Sequence, residues 1–304
     1  MAMTPHAGQT LRSDALLLIT ALIWGTAFVA QRVGMDHVGP FGFNGIRFAL
    51  GCLVLLPLIL VNRDRPVRNP VNTGGLFSLS RLGGGFLAGL VLFLGASFQQ
   101  VAMVYTTAGN AGFITGLYVI LVPIIGIFLG HRTHAGTWTG AVLAAVGLYL
   151  LSVTEQFTIV RGDLLVLIGA FFWAGHVHVI GLLSPRGDPV RIAFLQYAAC
   201  SALSMAASVL FEHNTLQGYL DAATPILYGG ILSVGVAYTL QVVAQRRARP
   251  SHAAIILSLE AVFAAIGGWV ILDEVLTGRA MAGCALMFSG MLISQLWRIS
   301  RRPS

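Results

Sequence analysis

Apolar residues run on for about 20 positions at a time along most of this chain, and each run is closed by charge, glycine or proline. Ten such runs stand out, at 15–33, 41–61, 82–105, 109–129, 137–153, 163–184, 190–210, 224–245, 253–272 and 280–297. Runs of about 17–25 residues suit membrane-crossing helices and are too long for barrel strands. Hydrocarbon offers the backbone no partners, so the helix is the remaining way to span it. The pattern predicts an all-α integral membrane protein with ten transmembrane helices.

Arginine placement orients these spans, because cytoplasmic loops are enriched in basic residues. With the N-terminus inside, fourteen arginines fall on the cytoplasmic side: Arg12, Arg63, Arg65, Arg68, Arg81, Arg132, Arg186, Arg191, Arg246, Arg247, Arg249, Arg298, Arg301 and Arg302. Arg32, Arg161 and Arg279 fall outside, and Arg47 alone lies within a span. The expectation is therefore that both termini are cytoplasmic, in a bacterial-type inner membrane. The first run lacks a short apolar core followed by a small-residue cleavage site, so it reads as a retained span and not a signal peptide. The longest loop, 62–81, is polar and arginine-rich. No other stretch has room for a soluble catalytic domain.

Composition agrees. Hydrophobic residues make up 56% of the 304 and charged residues only 10%, with a mean hydropathy of +0.82, against about 25% charged in soluble domains. All basic residues are arginine, which excludes a GxxxxGK[ST] phosphate loop and a Schiff-base lysine. The net charge of +7 is distributed by the membrane and forms no interleaved aromatic-basic patch, so nucleic acid is not an expected partner. Cys52, Cys200 and Cys284 lie in separate apolar runs, which argues against a disulfide framework. No cofactor motif is present, and a membrane-embedded hydrolase would need a nucleophile motif such as GxSxG that the chain lacks. The chain reads as a non-enzyme.

The pattern also repeats. Asp14–Trp24 reads DALLLITALIW, and 149 positions later Asp163–Trp173 reads DLLVLIGAFFW. Near the end of each half, GTWTGAVLAAVGLYLLS from Gly136 parallels RAMAGCALMFSGMLIS from Arg279, aligning Gly140 with Gly283 and Gly147 with Gly290. The expected organisation is a segment 1–13, a five-helix repeat 14–153, a connecting loop 154–162, a second repeat 163–297 and a tail 298–304. Five is odd, so the second copy enters from the opposite face. Inverted repeats of this kind place a solute site near the midplane and let the two halves exchange conformations in alternating access. A passive channel is the other transport reading.

Three segments carry a family resemblance: IWGTAFVAQRVG from Ile23, FNGIRFALG around Arg47, and LSLEAVFAAIGGWVILDEVLTGRAMAGCALMFSGMLIS from Leu257. They resemble the ten-helix EamA-type members of the drug/metabolite transporter superfamily, and the resemblance covers nearly the whole chain. It implies two inverted bundles around a central cavity lined by spans one to four and six to nine, with spans five and ten peripheral. It also implies export of amino acids or related metabolites, with lipid or drug carriage as the alternative. The chain departs from the family pattern at Ala261, where proline is usual, and at His131, opposite Glu274 of the second half.

Charged and polar groups inside spans are expensive and mark candidate sites. Arg47 and Glu260 are the two formal charges well inside spans. At 1.5 Å per residue each sits roughly 9–10 Å deep from opposite faces, leaving about 10 Å between their levels. Direct pairing would require Arg47 to snorkel toward Glu260. Glu260 reads either as a structural acceptor near Ser258 or the Arg246–Arg249 cluster, or as a carboxylate that couples transport to a proton. Arg47 reads as a packing anchor or as a group near the solute, and its counterpart by repeat alignment is Gln196.

Helical spacing gathers further candidates: Thr20, Trp24 and Gln31; Thr115 and Tyr118; Trp173 and His176; Tyr238, Gln241 and Gln245; and the amides Gln99 and Gln100. Each aromatic side chain could equally serve packing or anchor at the interface. Together they describe a chamber with aromatic walls, amides and little net charge, suited to a neutral or zwitterionic small molecule with an apolar body, such as a hydrophobic or aromatic amino acid. The HxH pair His176/His178 and the HxxH pair His131/His134 lack the further ligands of a metal site. GxxxG pairs at Gly126/Gly130 and Gly136/Gly140 point to close helix packing within a monomer, with a weak homodimer as the alternative.

Overall fold

The computed structural model describes residues 5–61, 80–106, 108–131, 133–152, 161–271 and 277–300. Regular structure among them is entirely helical: α1 (Pro5–Gly34), α2 (Pro40–Val61), α3 (Ser80–Ala102), α4 (Ala108–Gly116), α5 (Tyr118–Phe128), α6 (Ala135–Ser152), α7 (Arg161–Leu183), α8 (Pro189–Phe211), α9 (Leu216–Asp221), α10 (Ala223–Leu227), a π-helical segment (Tyr228–Tyr238), α11 (Thr239–Ala244), α12 (Pro250–Leu257), α13 (Glu260–Ile271) and α14 (Gly278–Ser300). Among the described residues, seven stretches are long and apolar enough to cross a membrane: Thr10–Gly34, Pro40–Val61, Gly83–Ala102, Ala111–Phe128, Arg161–Leu183, Pro189–Phe211 and Ala223–Ala244. Three shorter apolar helices are Ala135–Leu150, Pro250–Ile266 and Gly278–Ser294. Arg63, Arg65, Arg68, Arg132, Glu274, Arg301 and Arg302 lie outside the described residues.

Three of the expected spans are not single α-helices. The fourth is interrupted at Leu117, the ninth at Ser258 and Leu259, and the eighth passes through the π-helical segment. At Leu117 the amide bonds back three residues to Ile114 O (3.2 Å), and at the second break Leu259 N bonds to Ile256 O and Ala261 N to Ser258 O, both at 3.2 Å. These are 3₁₀-type tightenings of an α-helix. Leu117 has φ −59°, ψ −14° and Ser258 φ −62°, ψ −14°. The two breaks therefore share one backbone geometry.

Helix ends follow local chemistry. Asp188 caps α8 by accepting from Val190 N and Arg191 N at 2.9 and 3.3 Å, with Pro189 at the first helical position, where its missing N–H costs nothing. Glu212 caps α2 from the far end of α8, its two oxygens accepting from Phe41 N and Gly42 N at 2.8 Å each. Gly130, at φ +75°, ends α5. His131 N then reaches Gly126 O (2.8 Å) and Gly130 N reaches Ile127 O (3.0 Å), the hydrogen-bond pair of a Schellman stop.

Packing runs α1 against α12, α13 and the π-helical segment, α2 against α8, α3 against α7 and α8, and α6 against α14. The last pair meets backbone to backbone. A Cβ built on Gly140 would lie 2.6 Å from Gly290 O, and one built on Gly147 would lie 2.6 Å from Gly283 O. Glycines aligned by the repeat thus contact each other in exchanged order, so α6 and α14 run antiparallel. Two aspartates fix the other ends of the bundle. Asp14 bonds His252 Nε2 (2.9 Å), whose Nδ1 meets Ser294 Oγ at 3.1 Å, and Asp163 accepts from Thr106 Oγ1 at 2.5 Å. Large apolar side chains such as Leu53, Phe128, Val209 and Leu296 face outward, as a lipid-facing surface requires.

Because no neighbouring backbone can yield, Gly140→Ala and Gly147→Ala should each destabilise the protein by about 1–3 kcal/mol. Gly83→Ala, which meets nothing within 4 Å, should leave the melting temperature unchanged. Thermal unfolding in detergent checks both.

Candidate functional site

A cavity lies between the helices, about 480 Å³ with its mouth included. Eleven of the fifteen candidates named from the sequence line it: Trp24 and Gln31 on α1, Arg47 on α2, Gln99 on α3, Thr115 on α4, Tyr118 on α5, Trp173 and His176 on α7, Tyr238 at the end of the π-helical segment, Gln241 on α11, and Glu260 at the start of α13. Gln196 does not line it. It sits behind the wall on α8, with its Oε1 2.8 Å from His176 Nε2.

The aromatic wall centres on Tyr238. Its ring centroid lies 4.5 Å from that of Trp24 and 6.1 Å from those of Trp173 and His176. Hydrogen bonds set the tryptophans: Trp24 Nε1 donates to Ser233 O (3.2 Å), and Trp173 Nε1 donates to Gln99 Oε1 (2.9 Å). The amides continue the relay. Gln99 Nε2 donates to Gln31 Oε1 at 3.0 Å, Gln31 Nε2 to Ala27 O at 3.3 Å, and Gln100 Nε2 to Gln31 O at 3.2 Å. Thr20, Gln100 and Gln245 are buried but outside the cavity; Thr20 Oγ1 is 2.9 Å from Leu16 O and Gln245 Nε2 donates to Val177 O at 2.9 Å.

Arg47 and Glu260 do not pair with each other; Arg32 pairs with Asp36, and Asp14 bonds His252. Arg47 is 2% exposed, and its Nε donates to Asn44 Oδ1 at 2.9 Å. The guanidinium lies 5.6 Å from the Phe43 ring and 5.0 Å from the Phe48 ring, a cation–π setting. Its two terminal nitrogens meet no acceptor among the described residues. Glu260 is also buried, and its Oε1 has no hydrogen-bond partner. Ser258 does not serve it, because that hydroxyl donates to Ile255 O at 2.9 Å. Tyr118 Oη stands beside the carboxylate without the geometry of a hydrogen bond.

The histidine pairs separate. His176 faces the cavity, while His178 Nε2 donates to Val122 O at 2.8 Å. No group of three or more metal-ligating side chains occurs among the described residues. Phe28, Asn44 and Ser233 escaped the reading of the sequence. Phe28 lies one turn from Trp24 on the same α1 stripe, and Asn44 lies one turn before Arg47, so helical spacing could have found both. Ser233 is five residues before Tyr238. The segment is π-helical, with hydrogen bonds spanning five residues and a wider turn, which brings residues five apart nearer to one face than an α-helical period does.

Helices of membrane-crossing length around a buried chamber, walled largely by aromatic and apolar surface with a few amides, hydroxyls and ionisable groups set into it, define the class: a multi-pass membrane transporter. The chain belongs to the EamA-like transporter family, which matches it twice, over residues 11–153 and 160–295. An uncharacterized transporter of Archaeoglobus fulgidus is 35% identical over 95% of this chain and 87% of its own length. A protein of Escherichia coli K12 named "Probable amino-acid metabolite efflux pump" is 25% identical, over 93% and 95% of the two chains. A solved crystal structure superposes with a TM-score of 0.75, covering 95% of this chain and 99% of the other. At 20% identity, that likeness concerns the fold alone.

Trp173→Phe leaves Gln99 Oε1 without its donor, and should cost about 1–3 kcal/mol. Adding Gln99→Leu should restore part of the loss, with a coupling energy of at least ~0.5 kcal/mol in a double-mutant cycle. Reversible unfolding in mixed micelles measures it; strict additivity would mean the relay is not a unit.

Proposed function

We propose that this transporter is a secondary carrier that exports hydrophobic or aromatic amino acids across a bacterial-type cytoplasmic membrane by alternating access. The observation that carries the reading is Arg47: a buried cation with two unfilled terminal donors, set in a cavity walled by Trp24, Trp173 and Tyr238. A guanidinium binds carboxylate through two parallel hydrogen bonds. The rings beside it offer an apolar surface to the rest of the solute. The name of the Escherichia coli relative supports export of such metabolites.

The architecture we infer is ten spans in two inverted repeats, 14–153 and 163–297, with both termini cytoplasmic. Support comes from paired features. The breaks at Leu117 and Ser258 share φ and ψ, Gly140 and Gly147 meet Gly290 and Gly283 in exchanged order, and the family matches each half once. Exchange of conformation between two such halves would open the cavity to either side in turn.

Counterflow in proteoliposomes, with labelled phenylalanine traced against one unlabelled amino acid at a time, should show saturable exchange for apolar side chains. Arg47→Gln should raise the apparent KM roughly tenfold or more, the worth of a hydrogen bond to a charged group. No exchange by folded protein across the panel would turn the reading to lipid or drug carriage, and an unchanged KM in Arg47→Gln would return that arginine to packing. For the topology, alkaline phosphatase fused after residue 304 should be inactive and after residue 277 active.

A further inference from the structure

Among the described residues eleven buried side-chain atoms have no hydrogen-bond partner, and four of them belong to cavity-lining residues: Thr115 Oγ1, Tyr118 Oη, Gln241 Oε1 and Glu260 Oε1. Buried polar atoms in native proteins are nearly always paired, so each exception needs a cause. The four that line one cavity can share a single one, a bound group. They are also held in place by structure. Thr115 and Tyr118 flank the tightened turn at Leu117, one helical turn apart, and Glu260 follows the matching turn at Ser258 and Leu259. Irregular backbone at membrane depth is tolerated where it lines a cavity, and broken helices form the solute and ion sites of many carriers.

The chemistry of the cluster is one-sided. It has one carboxylate, two hydroxyls and an amide oxygen, and no protein cation answers it. Arg47 donates to Asn44 and rests on phenylalanine rings, and the pairs Arg32–Asp36 and Asp14–His252 lie elsewhere. The missing partner must bring positive charge and several donated hydrogens in a compact group. A primary ammonium does so, with three N–H bonds for three or four acceptors. A carboxylate could not be held here, and a quaternary ammonium would leave every acceptor unpaired.

We propose that Thr115, Tyr118, Gln241 and Glu260 form a subsite for the primary ammonium group of the transported solute, with Glu260 supplying the charge. The proposal rests on the amino-acid reading above and extends it. Arg47 takes the carboxylate pole, this cluster takes the ammonium pole, and the aromatic rings lie along the side chain. The carrier then distinguishes 2-amino acids from 2-hydroxy acids of the same shape, because the hydroxy acid leaves Glu260 unpaired.

The test uses the full-length protein in proteoliposomes with labelled L-phenylalanine, competed by unlabelled L-phenylalanine or L-phenyllactate. Wild type should favour the amino acid by roughly 100-fold or more, as sites built to hydrogen-bond a particular group do. Glu260→Gln should narrow the preference to less than about tenfold while phenyllactate still competes, and Arg47→Gln should weaken both competitors alike. Thr115→Val and Tyr118→Phe, which keep shape and remove one hydroxyl each, should narrow it by smaller steps and carry the test if Glu260→Gln does not fold. An undiminished preference in these variants, with exchange intact, overturns the ammonium subsite and leaves the amino-acid reading standing.

No phenylalanine exchange by wild type overturns that reading instead, and melting temperature then decides the subsite. Phenethylammonium chloride should stabilise wild type, stabilise Thr115→Val by less and leave Glu260→Gln unchanged. Absence of any stabilisation overturns the proposal. Stabilisation by sodium chloride over choline chloride, without a response to phenethylammonium, assigns the oxygens to a sodium ion and overturns it as well.

Discussion

Hydrocarbon cannot hydrogen-bond, and this single constraint decides where each polar atom of the protein may lie. It drives the backbone into helices and turns the hydroxyls, amides and charges of those helices inward. Inside, most of them find one another: Trp173 with Gln99, Gln99 with Gln31, His176 with Gln196, His178 with Val122 O. Of the eleven buried side-chain atoms that do not, among the described residues, four line the cavity, on Thr115, Tyr118, Gln241 and Glu260.

Much of this was legible in the sequence for the same reason. A polar residue in a long apolar run is costly wherever it sits, so Arg47, Gln99, Trp173, Tyr238 and Glu260 could be singled out without knowing which helices touch. Backbone irregularity was not legible. Neither Leu117 nor Ser258 is a proline or glycine, and Pro123 lies inside α5, several residues past the first break. The π-helical segment likewise hid Ser233 from a reading based on a 3.6-residue period. Tertiary partners were also out of reach: spacing placed Glu260 near Ser258, but the serine hydroxyl turned back on its own helix to Ile255 O.

The two halves differ as instructively as they agree. Asp14 and Asp163 occupy equivalent places in the repeat, yet the first meets His252, itself against Ser294, and the second meets Thr106. Arg47 likewise corresponds to Gln196, which has withdrawn from the cavity to bond His176. Positions that align between the two halves of the sequence thus carry different chemistry in the structure.

Four glycines join α6 to α14, and their contact has a mechanical meaning. Where Gly140 meets Gly290 and Gly147 meets Gly283 the backbones touch directly, and the flanking side chains of Leu143, Met287 and Ser294 wedge the contact, so the two rods cannot easily roll over each other. They form a rivet. In the alternating-access cycle proposed above, the rearrangement that exposes the cavity would fall to the remaining helices, swinging about this post.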